Sequence, residues 1–400
     1  MFKMLRLGVI GLGQRGNGWI KAVLADMPGI SVTALCDLYT DRIDECAAML
    51  VEKHPDTEIF KTTDYRELVN SDSVDAVLCF TAWETHVPIS IYSMRAGKPV
   101  GCEVGGAYSV EECWELVRAH EETGTKFMLL ENCCYGRREL MILNMVERGF
   151  FGRVVHCDGG YHHDLRNEVA FGKENRHYRL RNYLSRNCEN YPTHELGPIA
   201  RVLGIGHGNR MVSLTSTASL SAGLHDYIAR KKPEDTELMN ANFAQGDMIT
   251  TVIKCAHGET ITLQLDTTLP RYYTRDFTVH GTRALYEERT DSIFEEGKHE
   301  HEEWKWKKNC IGNAEDYVEE YEHPIWREYL KGGIIGGHGG MDGLVMNAFV
   351  DSIVNDKPCP IDVYDAASWM SVTALSSISV SMGGAPVEIP DFTRGGWLLK

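Results

Sequence analysis

Three glycines near the start of the chain have the spacing G-x-G-x-x-G and follow an apolar run at residues 5–10. In this pattern Gly11 allows a tight turn, Gly13 lets the backbone approach a pyrophosphate, and Gly16 lets the next helix pack closely on the strand. The N-terminus of that helix presents unpaired N–H groups and a positive dipole end to phosphates. The pattern therefore predicts a dinucleotide site.

A carboxylate supports this prediction and indicates which dinucleotide is bound. Asp37 follows a second apolar run, at residues 31–36, and stands about 20 residues after Gly16, where an acidic side chain binds the ribose hydroxyls of NAD and repels the 2′-phosphate of NADP. The alternative is a glycine-rich loop that binds no nucleotide, with an aspartate that only begins a helix. Because strand, loop and acid agree, the pattern favours NAD.

The elements that position these residues alternate between strands and helices through the first third of the chain. Strands are predicted at residues 5–10, 31–36, 74–80, 99–102 and 126–130, and helices at 14–25, 41–53, 86–96 and 109–123. Ser109 and Glu112 have the spacing of a capping box at the start of the last helix. Such alternation indicates βαβ units and a parallel sheet, so we expect an α/β fold with an N-terminal Rossmann domain.

The pattern changes near residue 131. Longer strands are predicted at 154–161, 212–218, 248–255, 260–266 and 277–280, and helices at 140–148, 343–354 and 366–381. Several of these strands alternate in polarity, which is typical of an open, largely antiparallel sheet with one covered face. Residues 291–308 are rich in charge and are expected to form a solvated excursion.

These patterns predict two domains. Residues 1–131 are expected to form an NAD-binding Rossmann domain, and residues 132–400 an α+β domain for substrate binding and oligomerisation. Because an open sheet needs its exposed face and edges covered, we expect a homo-oligomer, either a dimer or a tetramer.

Composition excludes several classes of function. The chain has 400 residues and a formal charge of −16, which disfavours nucleic acids and anionic membranes as partners. The 12 cysteines show no dense, regular spacing and are expected to be reduced. No signal peptide is expected at the start, and no apolar run of about 18 residues occurs, so we expect a cytoplasmic protein.

The N-terminal part resembles the Gfo/Idh/MocA family of sugar-type oxidoreductases. The similarity lies in the glycine loop and in the segments T-A-W-E-T-H (81–86), A-G-K-P-V (96–100) and C-E-V (102–104). That family carries a catalytic lysine in an E-K-P segment, where this chain has Val104. Besides the three glycines and Asp37, the resemblance implies contacts to the cofactor from Gln14, Arg15, Thr81, Trp83, His86 and Glu103.

The rest of the chain resembles glycoside hydrolase family 109, which is typified by NAD-dependent α-N-acetylgalactosaminidase. The segments that carry this resemblance cover nearly the whole chain in order, at residues 131–137, 160–166, 191–198, 270–275, 337–342, 362–367 and 387–392. That branch is similar in having E-V in place of E-K-P. Glu195 stands where the family pattern has glycine, so we expect an added carboxylate to alter the surroundings of the sugar.

The resemblance implies an NAD-dependent glycosidase that is redox-neutral over a turnover. The sugar is oxidised at C3, a base removes the C2 proton, the aglycone leaves C1 by elimination, water adds, and the hydride returns. This differs from hydrolysis by paired carboxylates. The alternatives are an NAD-dependent sugar (C3) dehydrogenase, which would release NADH, and a non-catalytic NAD-binding sensor.

Within this mechanism the resemblance implies roles for four side chains of the second domain. His194 is the candidate acceptor of the C3 hydroxyl proton, because an imidazole titrates near working pH. Tyr161 is the candidate base at C2, and it needs a cationic neighbour, either His163 or Arg166. Tyr191 and Tyr273 are candidates for hydrogen bonding or stacking with the sugar, and plain packing is the alternative for both.

Other residues keep two interpretations. Glu131 is a candidate to hold a sugar hydroxyl or to orient His194, and Glu103 is expected near the nicotinamide; either can instead be a buried structural carboxylate. His338 is a site residue or a loop residue, and Asp342 can simply cap a helix. The runs 162–164 and 299–303 lack the spacing of metal ligands, so no required metal is expected.

Overall fold

The computed structural model describes residues 4–299 and 310–399. Their internal contacts divide the chain into two compact units. Unit 1 comprises residues 1–135 and 332–367, and unit 2 comprises residues 136–331 and 368–400. The predicted boundary at residue 131 lies close to the first break, but the segment 332–367 groups with unit 1 rather than with the second domain.

Unit 1 contains a six-stranded sheet with the order β3-β2-β1-β4-β5-β6, in which every pairing is parallel. The strands are β1 (Leu5–Ile10), β2 (Ile30–Cys36), β3 (Phe60–Thr62), β4 (Ala76–Cys79), β5 (Val100–Cys102) and β6 (Phe127–Leu129). This is the strand order of a Rossmann fold, whose ligands meet the carboxyl ends of the strands. The strands β4, β5 and β6 are buried throughout, as parallel strands between helical layers must be.

The helices of unit 1 follow these strands in turn. They are α1 (Gln14–Trp19, continued by a π-helical segment at Ile20–Leu24), α2 (Thr40–Lys53), α3 (Tyr65–Asn70), α4 (Trp83–Arg95) and α5 (Val110–Thr123). Ser109 caps α5 by accepting a hydrogen bond from the Glu112 N–H at 3.1 Å, as the capping-box spacing predicts. A 3₁₀ turn at Asn132–Tyr135 follows β6.

Unit 2 contains an eight-stranded sheet that is antiparallel except at one pairing, β7 with β10. Its strands are β7 (Val154–His162), β8 (Met211–Ala218), β9 (Met248–Cys255), β10 (Thr260–Asp266), β11 (Thr278–Gly281), β12 (Ala284–Glu287), β13 (Ser292–Glu295) and β14 (Val387–Glu388). Buried residues alternate with more exposed ones along β9 and β10, so one face of the sheet belongs to the core.

The remaining helices complete the two units. Those of unit 2 are α6 (Arg137–Glu147), α7 (Arg166–Ala170), α8 (Arg179–Ser185), α9 (Thr193–Val202), α10 (Gly223–Lys231), α11 (Thr236–Met239), α12 (Val318–Tyr321) and α13 (Pro324–Gly332, whose last residue belongs to unit 1). The helix α14 (Met341–Val354) belongs to unit 1, and α15 (Val363–Ser381) begins in unit 1 and ends in unit 2. Among the described residues, no helix has both the length and the apolar character that a membrane span requires.

The predicted fold class is confirmed, whereas the solvated excursion at 291–308 is wrong in its first part. Ser292–Glu295 forms β13 and pairs with β12, and the Ile293 side chain is fully buried. His299 is also buried. The high charge of the segment hid a short strand whose first two residues, Ser292 and Ile293, are buried. Residues 300–308 lie outside the described part of the chain.

Candidate active site

The glycine loop of unit 1 follows β1 and leads into α1. Gly11 has φ +90°, and a Cβ added there would lie 2.6 Å from the Phe80 carbonyl oxygen. A Cβ on Gly16 would lie 1.9 Å from the carbonyl oxygen of Gly11. Both positions therefore require glycine, the first because of its backbone conformation and the second because helix and loop approach so closely.

Gly13 is the N-cap residue of α1, and no side chain caps that helix end. A Cβ on Gly13 would meet only the Arg42 guanidinium, at 3.4 Å, so the front of the loop is open. The first N–H groups of a helix lack partners within the helix and are suited to bind an anion. The loop therefore fits a pyrophosphate. Gln14 and Arg15, which the sequence predicts as cofactor contacts, are the first two residues of α1.

Asp37 stands directly after β2 and is anchored beside the loop. Its Oδ2 accepts a hydrogen bond from the Leu12 N–H at 2.7 Å, and its Oδ1 accepts one from the Tyr39 N–H at 3.0 Å. The predicted carboxylate thus lies next to the predicted loop in unit 1, which is the arrangement that ribose recognition needs.

Three further predicted cofactor residues follow β4. The Oγ1 of Thr81 accepts a hydrogen bond from Thr85 at 2.8 Å, and the Nε2 of His86 lies 3.0 Å from the Thr81 carbonyl oxygen. Burial lowers the pKa of His86, so this ring is neutral and Nε2 carries the proton that it donates. Trp83 is buried, and a Cβ on Gly105 would lie 2.6 Å from its ring.

Glu103, the last predicted cofactor residue, is held by three donors. Its Oε1 accepts from the Val104 N–H at 2.9 Å, and its Oε2 accepts from the Arg15 Nε at 2.7 Å and the Trp19 Nε1 at 3.0 Å. The carboxylate therefore ties the chain after β5 to α1. Val104, at the position of the family's lysine, is buried and has no group that can move a proton.

Asp342 also binds Arg15, although the two are far apart in sequence. The guanidinium donates from Nη1 and Nη2 to the two carboxylate oxygens at 2.9 and 3.0 Å, and Asn132 donates to Oδ1 at 2.7 Å. Burial opposes ionisation, but the bonds from His338 and Arg15 hold the pKa of Asp342 well below its usual range. Asp342 is thus an ion-pair partner rather than a helix cap, because Gly340 is the N-cap residue of α14.

Unit 2 brings the predicted catalytic side chains of that unit into one cluster. The Tyr161 ring on β7 lies 4.5 Å from the Tyr191 ring and 5.7 Å from the His194 ring, and those two rings lie 4.9 Å apart. Tyr273, which is half exposed, lies 6.3 Å from Tyr161 and 5.1 Å from His163. We call Tyr161, His163, Tyr191, His194 and Tyr273 the aromatic cluster.

The Tyr161 hydroxyl has a defined partner within this cluster. It lies 3.0 Å from the Nδ1 of His163. Burial, together with the nearby Arg179 charge, lowers the pKa of His163. The ring is therefore neutral at neutral pH, and its Nδ1 can accept the phenolic proton.

The cation near Tyr161 is Arg179, which the sequence did not single out. Its guanidinium lies 5.0 Å from the centre of the Tyr191 ring, and its Nε is 2.6 Å from the Oε1 of Glu168. Burial alone would lower the pKa of Arg179, but Tyr178, Tyr161 and Glu168 hold it well above its usual value. Arg166, one of the two cations expected for this role, is bound instead by Asp164 at 2.7 and 2.8 Å.

Two carboxylates of the family segments, those of Glu131 and Glu195, are buried. Glu131, in unit 1, is fully buried, and its Oε1 accepts from the Cys133 N–H at 3.0 Å. Glu195, on α9, is also buried, and a Cβ on Gly159 of β7 would lie 3.1 Å from the Glu195 Cβ. The glycine in β7 thus gives α9 room to pack against the sheet at Glu195.

The run 162–164, which invites a metal interpretation, sends its side chains to three different partners. His162 pairs with Asp276 at 2.8 Å, His163 with Tyr161, and Asp164 with Arg166. The second run begins with His299, whose Nδ1 accepts from the Glu295 N–H at 2.9 Å, and its remaining residues lie outside the described part of the chain.

Sequence families match both parts of the chain. Residues 5–130 match the oxidoreductase family with an NAD-binding Rossmann fold, and residues 135–399 match the C-terminal domain of glycosyl hydrolase 109. A glycosyl hydrolase family 109 protein of Parabacteroides distasonis is 38% identical, over 99% of this chain and 88% of its own length. An α-N-acetylgalactosaminidase of Tannerella forsythia is 37% identical over the same shares.

Solved structures with low sequence identity share the fold. A myo-inositol 2-dehydrogenase from Lactobacillus plantarum has a TM-score of 0.68 at 15% identity, covering 97% of this chain and 100% of the other. A levoglucosan dehydrogenase in complex with NADH and L-sorbose has a TM-score of 0.69 at 15% identity, with the same coverage. At such identity the likeness concerns the fold alone.

Proposed function

The chain belongs to glycoside hydrolase family 109, and on this premise we propose that it is an NAD-dependent glycosidase. In the proposed reaction the sugar is oxidised at C3, the aglycone is eliminated, water adds, and the sugar is reduced again. The α-N-acetylgalactosaminidase named among the relatives makes an N-acetylated hexosamine the first substrate to test.

The observation that carries this proposal is the aromatic cluster of unit 2. A phenol, a neutral imidazole and a buried guanidinium can together remove a weakly acidic proton, such as the one at C2 of an oxidised sugar. The Tyr161 hydroxyl contacts His163, and Arg179 supplies a fixed positive charge nearby. Elimination at C2 needs such a base, whereas simple oxidation of a hydroxyl does not.

The glycine loop and Asp37 fit the dinucleotide that the family implies, because the loop front is open and the carboxylate is anchored beside it. When bound, NAD supplies reversible hydride transfer at the sugar carbon. We propose that Gln14 and Arg15 contribute backbone N–H groups, since the Arg15 side chain is engaged by Glu103 and Asp342. The proposed cofactor contacts are Gly11, Gly13, Gln14, Arg15, Gly16, Asp37, Thr81, Trp83, His86 and Glu103.

We propose distinct proton transfers for the two central residues of the cluster. His194 accepts the proton of the C3 hydroxyl as this carbon is oxidised. Tyr161 removes the C2 proton, and the Arg179 charge stabilises the negative charge that the phenol oxygen carries as a base. Before Tyr161 acts, the neutral His163 accepts the phenolic proton at Nδ1 and becomes an imidazolium, which leaves the Tyr161 phenolate as the base at C2.

The other predicted residues are assigned to binding. The Tyr191 ring contacts both Tyr161 and Arg179, so it fixes the distance between the proposed base and its cation. Tyr273, being half exposed, is available to a sugar hydroxyl or ring face. Glu131, whose carboxylate is anchored by the Cys133 N–H, is proposed to hold a sugar hydroxyl.

A sugar dehydrogenase is the second candidate, because the similar solved structures include dehydrogenases. Val104 speaks against it, since an apolar side chain replaces the lysine that such enzymes of the fold family use. The two candidates differ in their need for added cofactor and in the fate of the C2 proton.

The experiment is incubation of the purified protein with aryl glycosides in deuterated water without added cofactor. The glycosidase proposal expects release of a sugar that carries deuterium at C2. If no sugar is released and NADH accumulates only when NAD⁺ is supplied, the protein is a dehydrogenase. Release without deuterium would contradict the elimination route.

We also propose a homo-oligomer in the cytoplasm. The support for the oligomer is the sheet of unit 2, in which Val252 of β9 and Val155 at the start of β7 are exposed apolar side chains. The support for a reducing compartment is that all 12 cysteines are free thiols, 11 of them buried. Light scattering and cell fractionation test these two statements separately.

A further inference from the structure

A cation lies beside the carboxylate that is proposed to bind the cofactor ribose. Arg42, in the first turn of α2, places its Nη1 3.9 Å from the Oδ2 of Asp37. The same Nη1 would be 3.4 Å from a Cβ on Gly13. The guanidinium therefore lies next to both the ribose carboxylate and the open front of the glycine loop.

The orientation of Arg42 is fixed by packing. Its guanidinium lies 4.9 Å from the centre of the Tyr39 ring, and its side chain is 18% exposed. Stacking on an aromatic ring orients the planar group, so less conformational freedom is lost when an anion binds. Asp37 does not depend on Arg42 for its position, because the Leu12 and Tyr39 N–H groups hold it.

These two charges have opposite effects on a 2′-phosphate. A carboxylate at this place repels it, whereas a guanidinium binds it with charge-assisted hydrogen bonds. The chain thus already has the cation that recognition of NADP requires. We infer that Arg42 is a specificity-determining residue: Asp37 excludes NADP, and neutralising Asp37 converts Arg42 into a binding group for the 2′-phosphate.

This inference rests on the proposed binding of NAD to unit 1, but it does not depend on glycosidase activity. The test uses the full-length protein, equilibrated by dialysis with equal concentrations of NAD and NADP. The nucleotides that remain bound are released by denaturation and separated by chromatography. The measured quantity is the ratio of bound NADP to bound NAD.

The key variants are Asp37→Asn, Arg42→Ala and the double variant. Asparagine keeps an oxygen that can accept from the Leu12 N–H while it removes the negative charge. We expect Asp37→Asn to raise the NADP/NAD ratio by about tenfold or more, the effect of one hydrogen bond to a charged group. The double variant is expected to lose this gain. Arg118→Ala, which removes an exposed arginine from α5, is the matched control and should leave the ratio unchanged.

Two results would overturn the inference. One is an unchanged ratio in Asp37→Asn; the other is an equal gain in Asp37→Asn with and without Arg42. If Asp37→Asn does not fold, Asp37→Ser provides the same comparison, since serine also removes the charge. Absence of any bound dinucleotide in the unaltered protein would instead refute the proposed cofactor site, so the two failures can be told apart.

Discussion

Replacing Tyr161 by phenylalanine tests the proposed base directly. The change removes one oxygen and leaves the ring, so the contacts with Tyr191 at 4.5 Å and His194 at 5.7 Å can remain. What is lost is the hydroxyl and its 3.0 Å contact with His163. The perturbation is therefore confined to the group that is proposed to move the C2 proton.

The expected losses in stability and in rate differ in size. One hydrogen bond contributes about 1 kcal/mol to folding, so the variant should unfold only slightly more easily than the parent. Loss of a general base slows proton transfer by about 10² to 10⁴, which corresponds to about 3–5 kcal/mol in the barrier. A change in stability of the expected size therefore cannot produce the expected loss of rate.

The assay measures deuterium incorporation at C2 of the sugar by NMR, together with the amount of bound NAD. We expect Tyr161→Phe to keep its NAD, because the cofactor residues belong to unit 1, and to lose C2 exchange. Tyr286→Phe is the matched control: Tyr286 is buried in β12, and its hydroxyl donates to Asp291 at 3.3 Å. Full C2 exchange in Tyr161→Phe, or an equal loss in the control, would refute the assignment.

Three further predictions follow from the two units. Gly16→Ala should lose bound NAD and about 2 kcal/mol of stability, because its Cβ would lie 1.9 Å from a loop carbonyl oxygen. Gly18→Ala is the control: a Cβ there has nothing within 4 Å, so this variant should keep NAD and gain up to about 1 kcal/mol of stability. Chromatography of the bound nucleotide and urea unfolding measure both effects. Asp342→Asn should cost about 2 kcal/mol after allowance for the partial exposure of Arg15. Since the folded-state pKa of Asp342 is lowered, its contribution is fully present above the ordinary carboxyl pKa of about 4 and declines as pH falls toward the folded-state pKa. An unfolding free-energy difference that is as large at pH 2 as at pH 7 would contradict this account. Because the pKa of His163 is lowered, its ring should titrate below about 6.5, the ordinary imidazole value, and an NMR titration of the His163 ring with a midpoint above that value would exclude a neutral His163 from the mechanism.

Much of unit 1 could be predicted because its signals are local. The spacing of the glycines, the apolar runs and the position of Asp37 each depend on a few neighbouring residues, and β1 has the predicted bounds Leu5–Ile10. The structure adds the hydrogen bond from Leu12 to Asp37, which links two turns that the pattern had placed separately. Local periodicity also identified five strands of the second sheet, β7 to β11, but not the short strands β12, β13 and β14. Charge dominated the segment of β13.

The partners of charged side chains could not be predicted in the same way. The guanidinium of Arg15, a predicted cofactor residue, binds Asp342, more than 300 residues later in the chain. Arg179 stands in a basic run, R-L-R, which is typical of an exposed helix. Its burial depends on Tyr191 and Glu168, which only the folded chain brings to it. No spacing rule relates these residues.

The burial of Arg179 is itself an argument that the aromatic cluster serves chemistry rather than stability. A buried ion pair such as the one with Glu168 gains little over well-packed apolar side chains, because both charges must be desolvated. The guanidinium is nevertheless held against the Tyr191 ring and near the Tyr161 phenol. The same arrangement stabilises negative charge on a phenol, where a water-excluded cation has its largest effect. The pair is therefore better explained by proton transfer at Tyr161 than by the packing of α8.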